Sequence, residues 1–325
     1  DSKGEFYVLE DNLRTPSGVS YMLECRKISE KLMPKVFEQS KIAGIEQYPQ
    51  LLKEILIENA YVDKPFVVVL TPGRFNSAYY EHSFLAREMD VPLVTSRDLF
   101  VDDSKVYVKT IRGRQRVDVI YRRVDDAFLD PLCFKPDSTL GVAGLMSAYL
   151  QNNVVIANAP GTGVADDKSV YPYVDKMIRF YLGEQPILKN VPTYQCRNSE
   201  ELDYVVAHLD QLVVKEAQGS GGYGMLIGPQ ASKQQIETFR EKILAAPHLY
   251  IAQPTLDLSV SPTLTNFGIA ERHIDLRPFV LSSPYRTEIV QGGLTRVAMQ
   301  PGSLVVNSSQ GGGIKDTWVV DNLHS

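Results

Sequence analysis

Residues 212–224 narrow the choice of fold more than any other segment. An apolar run of Leu212, Val213 and Val214 ends on Lys215, and Gly219, Ser220, Gly221, Gly222, Tyr223 and Gly224 follow. Gly219, Gly221 and Gly224 match the spacing G-x-G-x-x-G letter for letter. A dinucleotide fingerprint needs a helix directly after its glycines, and Met225, Leu226 and Ile227 read instead as a second short strand. A Walker A loop is excluded too, because the lysine precedes the glycines rather than closing them. What remains is a strand with a lysine near its end, then a glycine-rich hairpin. Glycines let backbone N–H groups approach phosphate oxygens with no Cβ in the way, and the lysine adds a point charge. The same residues also make a flexible hairpin with a surface lysine.

The periodicities around this segment describe an α/β chain. Residues 4–9 read as a strand and 18–60 as mostly helical, with Tyr48, Leu51, Leu52 and Ile55 on one helical face. Strands and helices alternate over 64–160. The strands fall at 66–70, 92–95, 106–109, 117–121 and 154–157, and the helices at 78–89 and near 138–150. That is the pattern of a small open α/β domain. Beyond 161, a helix carrying Val174, Met177, Ile178 and Tyr181 stops at Gly183. A second is capped near Asn198 or Ser199 and buries Leu202, Val205, Val206 and Leu209. A third opens on the capping-box pair Ser232 and Gln235 and ends at Pro247. Strands are expected at 212–215, 225–227, 250–253, 273–281 and 303–306. The divisions this suggests are 1–62, 63–160 and 161–325.

Composition closes off several function classes. The longest strictly apolar run, 66–70, is far short of the ~20 residues that span a bilayer. Lys plus Arg number 34 against 39 Asp plus Glu, so the basic surplus expected of a generic nucleic-acid binder is missing. Cys25, Cys133 and Cys196 form neither a disulfide framework nor a CxxC pair, which fits a reducing cytoplasm. The chain opens on Asp1 without an initiator Met, so its first domain is expected to extend upstream.

Four further motifs carry possible chemistry. Glu10 and Asn12, at i and i+2, share one face of an extended segment and offer the hard oxygens that Mg²⁺ takes beside nucleotide phosphates. Taken alone, they are more simply a polar strand-to-loop exit. Asp166, Asp167 and Lys168 stand before a helix, where a lysine at the positive end of the dipole hints at an anionic partner and a carboxylate can serve as cap. Asp275 and Arg277 alternate on one strand face, as a site or as a cross-strand salt bridge. Gly292, Gly293 and Arg296, then 307–313 with its three consecutive glycines, suggest a substrate loop or a mobile one.

Together these parts resemble the ATP-grasp ligases, and their order is informative. The usual order places Glu-x-Asn after both lysines, whereas here Glu10 and Asn12 precede Lys168 and Lys215. That order is similar to the circularly permuted ATP-grasp family, which includes the synthetase half of glutathionylspermidine synthase. The resemblance implies ATP and Mg²⁺ as cofactors, and small-molecule or peptide carboxylate and amine substrates, with no nucleic acid and no membrane partner. Lys168 and Lys215 become the ATP-phosphate lysines and 219–224 the flap, with Gln253 by the adenine. Glu10 and Asn12 hold the metal, and Arg296 meets the acyl phosphate. Arg277 is a second candidate for that task, oriented by Asp275. The resemblance also implies a pre-ATP-grasp α/β domain at 63–160, and an upstream metal-binding Asp outside this chain. The Cys-based amidase of the bifunctional synthase has no counterpart here. A non-catalytic nucleotide-binding module acting in a complex is expected to have lost Glu10, Asn12 or one of the lysines, and all four are present. A small-molecule kinase that stops after phosphoryl transfer would share the ATP-site residues.

Overall fold

The structure is a computed structural model that describes residues 1–219, 224–304, 306 and 312–320. It divides into two compact units. One comprises Asp1–Leu13, Gly163–Asp275 and Arg296–Gly313, and the other Arg14–Thr162, Leu276–Thr295 and Ile314–Ser325. Both are of mixed α/β construction, the fold class expected.

In the second unit, the apolar run at 66–70 becomes the fully buried strand Val67–Leu70. It lies in a parallel sheet ordered Leu93–Val94, Val67–Leu70, Val119–Arg122, Val155–Ala157. Successive side chains point to opposite faces of a strand, so the sheet feeds two cores. Val67, Val69, Val119 and Tyr121 pack with the helices Val19–Leu32, Tyr48–Glu58 and Tyr79–Glu88. Val68, Leu70 and Ile120 pack on the other side with Val106, Val108, Val117 and Leu145. Tyr48, Leu52 and Ile55 are buried as the periodicity predicts.

Two expectations there need correction. The stretch 138–150 is helical only over Leu145–Leu150. Gly141 lies against backbone, where a Cβ would stand 2.0 Å from the Phe128 carbonyl oxygen, and Gly144 takes a left-handed φ of 83°. Gly292 and Gly293 belong not to a loop but to the strand Gly292–Val297. Their lack of side chains serves packing: a Cβ on Gly293 would lie 2.8 Å from Leu276 Cδ1, and one on Gly292 2.7 Å from Ile45 Cγ2.

In the first unit, an antiparallel sheet runs Tyr194–Gln195, Tyr250–Pro254, Leu212–Glu216, Met225–Ile227. One face carries Leu212, Val214, Leu226 and Ala252 into a core closed by Val205, Leu209 and Ile243. The helix Ser199–Ala207 is capped by Asn198, and Lys233–Ala245 opens on the expected Ser232–Gln235 box. The Val174 helix departs from expectation. After Val174–Met177 the backbone widens into a π turn over Ile178–Leu182, so i, i+4 and i+7 no longer share a face. Tyr181 is exposed within the turn, and Met177 is exposed before it. The stretch 273–281 is also broken, into Gly268–Arg277 and Val280–Ser282, around Pro278, which has no N–H to give a ladder. No strand includes 303, 304 or 306. No helix among the described residues is long and apolar enough to cross a membrane.

Candidate functional site

Lys215 and Gln253 meet because of strand register. Val214 and Ala252 face each other and point into the core, so Lys215 and Gln253, each one residue away, stand on the opposite face. There Lys215 Nζ donates to Gln253 Oε1 at 2.8 Å, and Gln253 Nε2 donates to Thr193 Oγ1 at 2.9 Å. Gln253 is buried and its amide is committed to these two partners. Burial pulls the Lys215 ammonium below its ordinary value and Lys168 acts in the same direction, with Glu10 opposing both.

Lys168 reaches this place from a turn rather than a helix. The expected first-turn position is not formed: the chain folds into single turns at Thr162–Val164 and Tyr171–Tyr173, and Pro172 supplies no N–H. Lys168 is fixed at both ends, its N–H donating to the Ala217 carbonyl at 2.9 Å and its Nζ to the Gly219 carbonyl at 2.6 Å. Asp167 accepts from the Ser169 N–H and hydroxyl and from Gln218 Nε2. Burial works against its carboxylate, but these bonds and Lys168 outweigh it and keep the carboxyl below its usual range. Gly219 and Gly224 flank the predicted flap. Gly224 needs its left-handed φ of 68°, and a Cβ on it would lie 2.7 Å from the Glu216 carboxylate. Ser220, Gly221, Gly222 and Tyr223, like 307–311, lie outside the described residues.

The opening strand is shorter than expected. Tyr7–Val8 pairs in parallel with Lys189–Asn190, and Glu10 and Asn12 lie just beyond it. They remain neighbours, with Asn12 Nδ2 3.4 Å from Glu10 Oε1. Rotating the amide brings its oxygen to the same position, an assignment that hydrogen-bond partners alone decide. The next residue is pinned, since the Leu13 N–H donates to Asp166 Oδ1 at 2.6 Å. Burial, reinforced by Glu10 and Asp166, raises the Asp11 carboxyl above its ordinary value. Glu10, Asp11, Asp166, Lys168 and Lys215 line one shallow cleft.

Two hard oxygens, from Glu10 and Asn12, fit Mg²⁺ in chemistry, since that ion takes one or two protein ligands and completes its shell with water and phosphate. Among the described residues no cluster of three His, Cys, Asp or Glu could hold a metal unaided. Arg296 and Asp275 form a bidentate pair, Nε donating to Oδ1 at 2.8 Å and Nη2 to Oδ2. Burial opposes the guanidinium charge, and the Asp275 bond and charge, with Glu10, more than restore it. Arg277, the expected partner of Asp275, belongs to the other unit, where its Nη1 donates to the Ser17 carbonyl at 2.8 Å. Tyr171 and Thr193 escaped the sequence reading because nothing in their spacing marks them; only the fold brings them to this cleft and to Gln253.

Residues 1–298 match the family model described as circularly permuted ATP-grasp type 2. An uncharacterized protein of Synechocystis sp. is 55% identical over 98% of this chain and 67% of its own length. A second, from Mycobacterium bovis, is 50% identical over 98% of this chain and 58% of its own length. The chain thus spans only part of the curated relatives it matches. Among solved structures, a glutathione synthetase like-effector from Globodera pallida in its apoform superposes with a TM-score of 0.59. It is 9% identical, over 97% of this chain and 71% of that one, a likeness of fold.

Proposed function

Because the chain belongs to the circularly permuted ATP-grasp type 2 family, we propose that it takes part in an ATP-dependent ligation of a carboxylate to an amine, in the manner of glutathionylspermidine synthase. The observation that carries this reading is the cleft shared by Lys168, Lys215 and Glu10. Two ammonium groups face one carboxylate there, an arrangement suited to a triphosphate with its cation. Lys215 and Lys168 bind phosphate oxygens, exchanging their present partners, Gln253 Oε1 and the Gly219 carbonyl, for stronger charged ones. Glu10 and Asn12 hold Mg²⁺, which when bound neutralises the β- and γ-phosphate charge. The 219–224 segment is assigned the part of the flap.

Arg296, kept rigid and charged by Asp275, is assigned to the transferred phosphoryl group and the acyl phosphate it forms. Asp275 orients Arg296. Gln253 is assigned to hold Lys215, and through its backbone to border the adenine. Residues 63–160 take the part of the pre-ATP-grasp domain. The amine attacks the acyl phosphate directly, so no protein nucleophile is needed.

The reading is tested with the full-length gene product, ATP, Mg²⁺ and a panel of acids and amines. The expected products are ADP and phosphate, with ¹⁸O from the labelled carboxylate appearing in the phosphate. AMP and pyrophosphate would overturn this chemistry. A stable phosphorylated product with no amine requirement would make the protein a kinase. ATP bound and never turned over would make it a non-catalytic module.

A further inference from the structure

Tyr171 is buried three residues beyond Lys168 and lines the same cleft as Glu10 and Lys215. Its hydroxyl does two things at once: it donates to the Val8 carbonyl, and it accepts from the Val191 N–H at 2.7 Å. Those two groups have a defined relation. Val8 faces Asn190 in the parallel pair of Tyr7–Val8 with Lys189–Asn190. In a parallel ladder every second residue turns its carbonyl toward the partner strand and bonds the N–H one place beyond the residue it faces. The Val8 carbonyl and the Val191 N–H, both turned to the same hydroxyl, have that offset. The tyrosine hydroxyl therefore stands in the slot of the next rung. It satisfies both backbone groups while keeping the strands from closing on each other, and the pairing ends at Val8. Two residues later the chain presents Glu10.

We propose that Tyr171 is a positioning residue for the Glu10–Asn12 pair, setting where the chain leaves the strand and hence where the metal-binding oxygens stand. The inference rests on the reading of Glu10 and Asn12 given above. Burial, with smaller contributions from Asp11 and Asp175 and an opposing one from the Val191 N–H, pushes the Tyr171 hydroxyl up to about 12. It remains a donor at every ordinary pH. Without the hydroxyl, either the ladder gains a rung and draws Leu9 and Glu10 toward Val191, or the half-buried Val8 carbonyl and the buried Val191 N–H lose their partner. Both outcomes displace Glu10 and leave Lys168 and Lys215 on their own anchors.

The test is a calorimetric titration of the full chain with a non-hydrolysable ATP analogue at stepped Mg²⁺ concentrations, comparing wild type, Tyr171→Phe and Glu10→Gln. For Tyr171→Phe the expected result is unchanged affinity in EDTA and a Mg²⁺ midpoint raised roughly tenfold, in keeping with the loss of two ordinary hydrogen bonds. At saturating Mg²⁺ the affinity returns to that of wild type. An unchanged Mg²⁺ midpoint, even with a lower melting temperature, would make Tyr171 merely structural and overturn the proposal. Should Tyr171→Phe fail to fold, Tyr171→His, which keeps a ring donor with shorter reach, is expected to raise the midpoint in the same way. Glu10→Gln separates the two ideas. If it abolishes the Mg²⁺ dependence while Tyr171→Phe matches wild type, the positioning role alone falls. If Glu10→Gln behaves as wild type, the metal assignment falls and this inference with it.

Discussion

Lys215 holds its charge under opposing influences. Burial draws its ammonium below the ordinary lysine value of 10.5 and Lys168 adds repulsion, while the nearby Glu10 favours the charged form. A triphosphate would reverse the balance, so nucleotide binding should hold the proton on. The sign of the pH effect follows. As pH rises through the lowered value, the free protein loses the Lys215 proton, the bound form keeps it, and affinity falls. Calorimetry in buffers of different ionisation enthalpy is expected to show proton uptake on binding that grows as pH rises toward the ordinary lysine value of 10.5. Lys215→Met should remove the uptake; if it persists there, another group is responsible. In the sequence Lys215 stood out by its place at a strand end before glycines, a pattern that a flexible hairpin with a surface lysine shares, and the order of the other motifs singled it out. Gln253 as its anchor was not legible, since the contact joins residues 38 positions apart through a register that only folding fixes.

The sheet made by Tyr194–Gln195, Tyr250–Pro254, Leu212–Glu216 and Met225–Ile227 separates stability from binding by its two faces. Val214 is fully buried on one side, and Lys215 lies on the other. Val214→Ala removes two buried methyl groups and leaves a small cavity, a loss of about 2 kcal/mol that should lower the melting temperature and leave nucleotide affinity unchanged. Lys215→Ala should do the opposite. Equal loss of affinity in both variants would mean that the faces are not independent. Elements with strong local signals were readable in advance: the Ser232–Gln235 capping box starts its helix as expected, and Val67–Leu70 is the buried strand its composition predicts. Elements decided by distant packing were not. Gly292 and Gly293 resembled a loop because glycine usually signals freedom, yet here they make room for Ile45 and Leu276. The Val174 helix failed for a different reason, since a π turn changes the period on which the face was counted.

At the scale of the whole molecule, the order of motifs pointed to the family more than any one motif did. Glu10 and Asn12 come first in the chain, and Lys168 and Lys215 follow far downstream. Folding places Asp1–Leu13 in the same unit as Gly163–Asp275, and so brings Glu10 to the lysines. Tyr7–Val8 pairs with Lys189–Asn190, Leu13 bonds Asp166, and Tyr171 bonds Val8, three ties that fasten the opening segment to the middle of the chain. No local pattern could have announced these ties, because each needs residues more than 150 positions apart. The central claim, that the lysines on this frame bind a nucleotide's phosphates, is tested most directly by one measurement. It is a calorimetric titration of a non-hydrolysable ATP analogue with Mg²⁺ into the wild-type chain, Lys168→Ala and Lys215→Ala, each checked by thermal melt. Saturable binding to wild type is expected, with a loss of about 1.5–3 kcal/mol in each folded variant, the worth of a charged hydrogen bond. Wild-type affinity in both folded variants would contradict it.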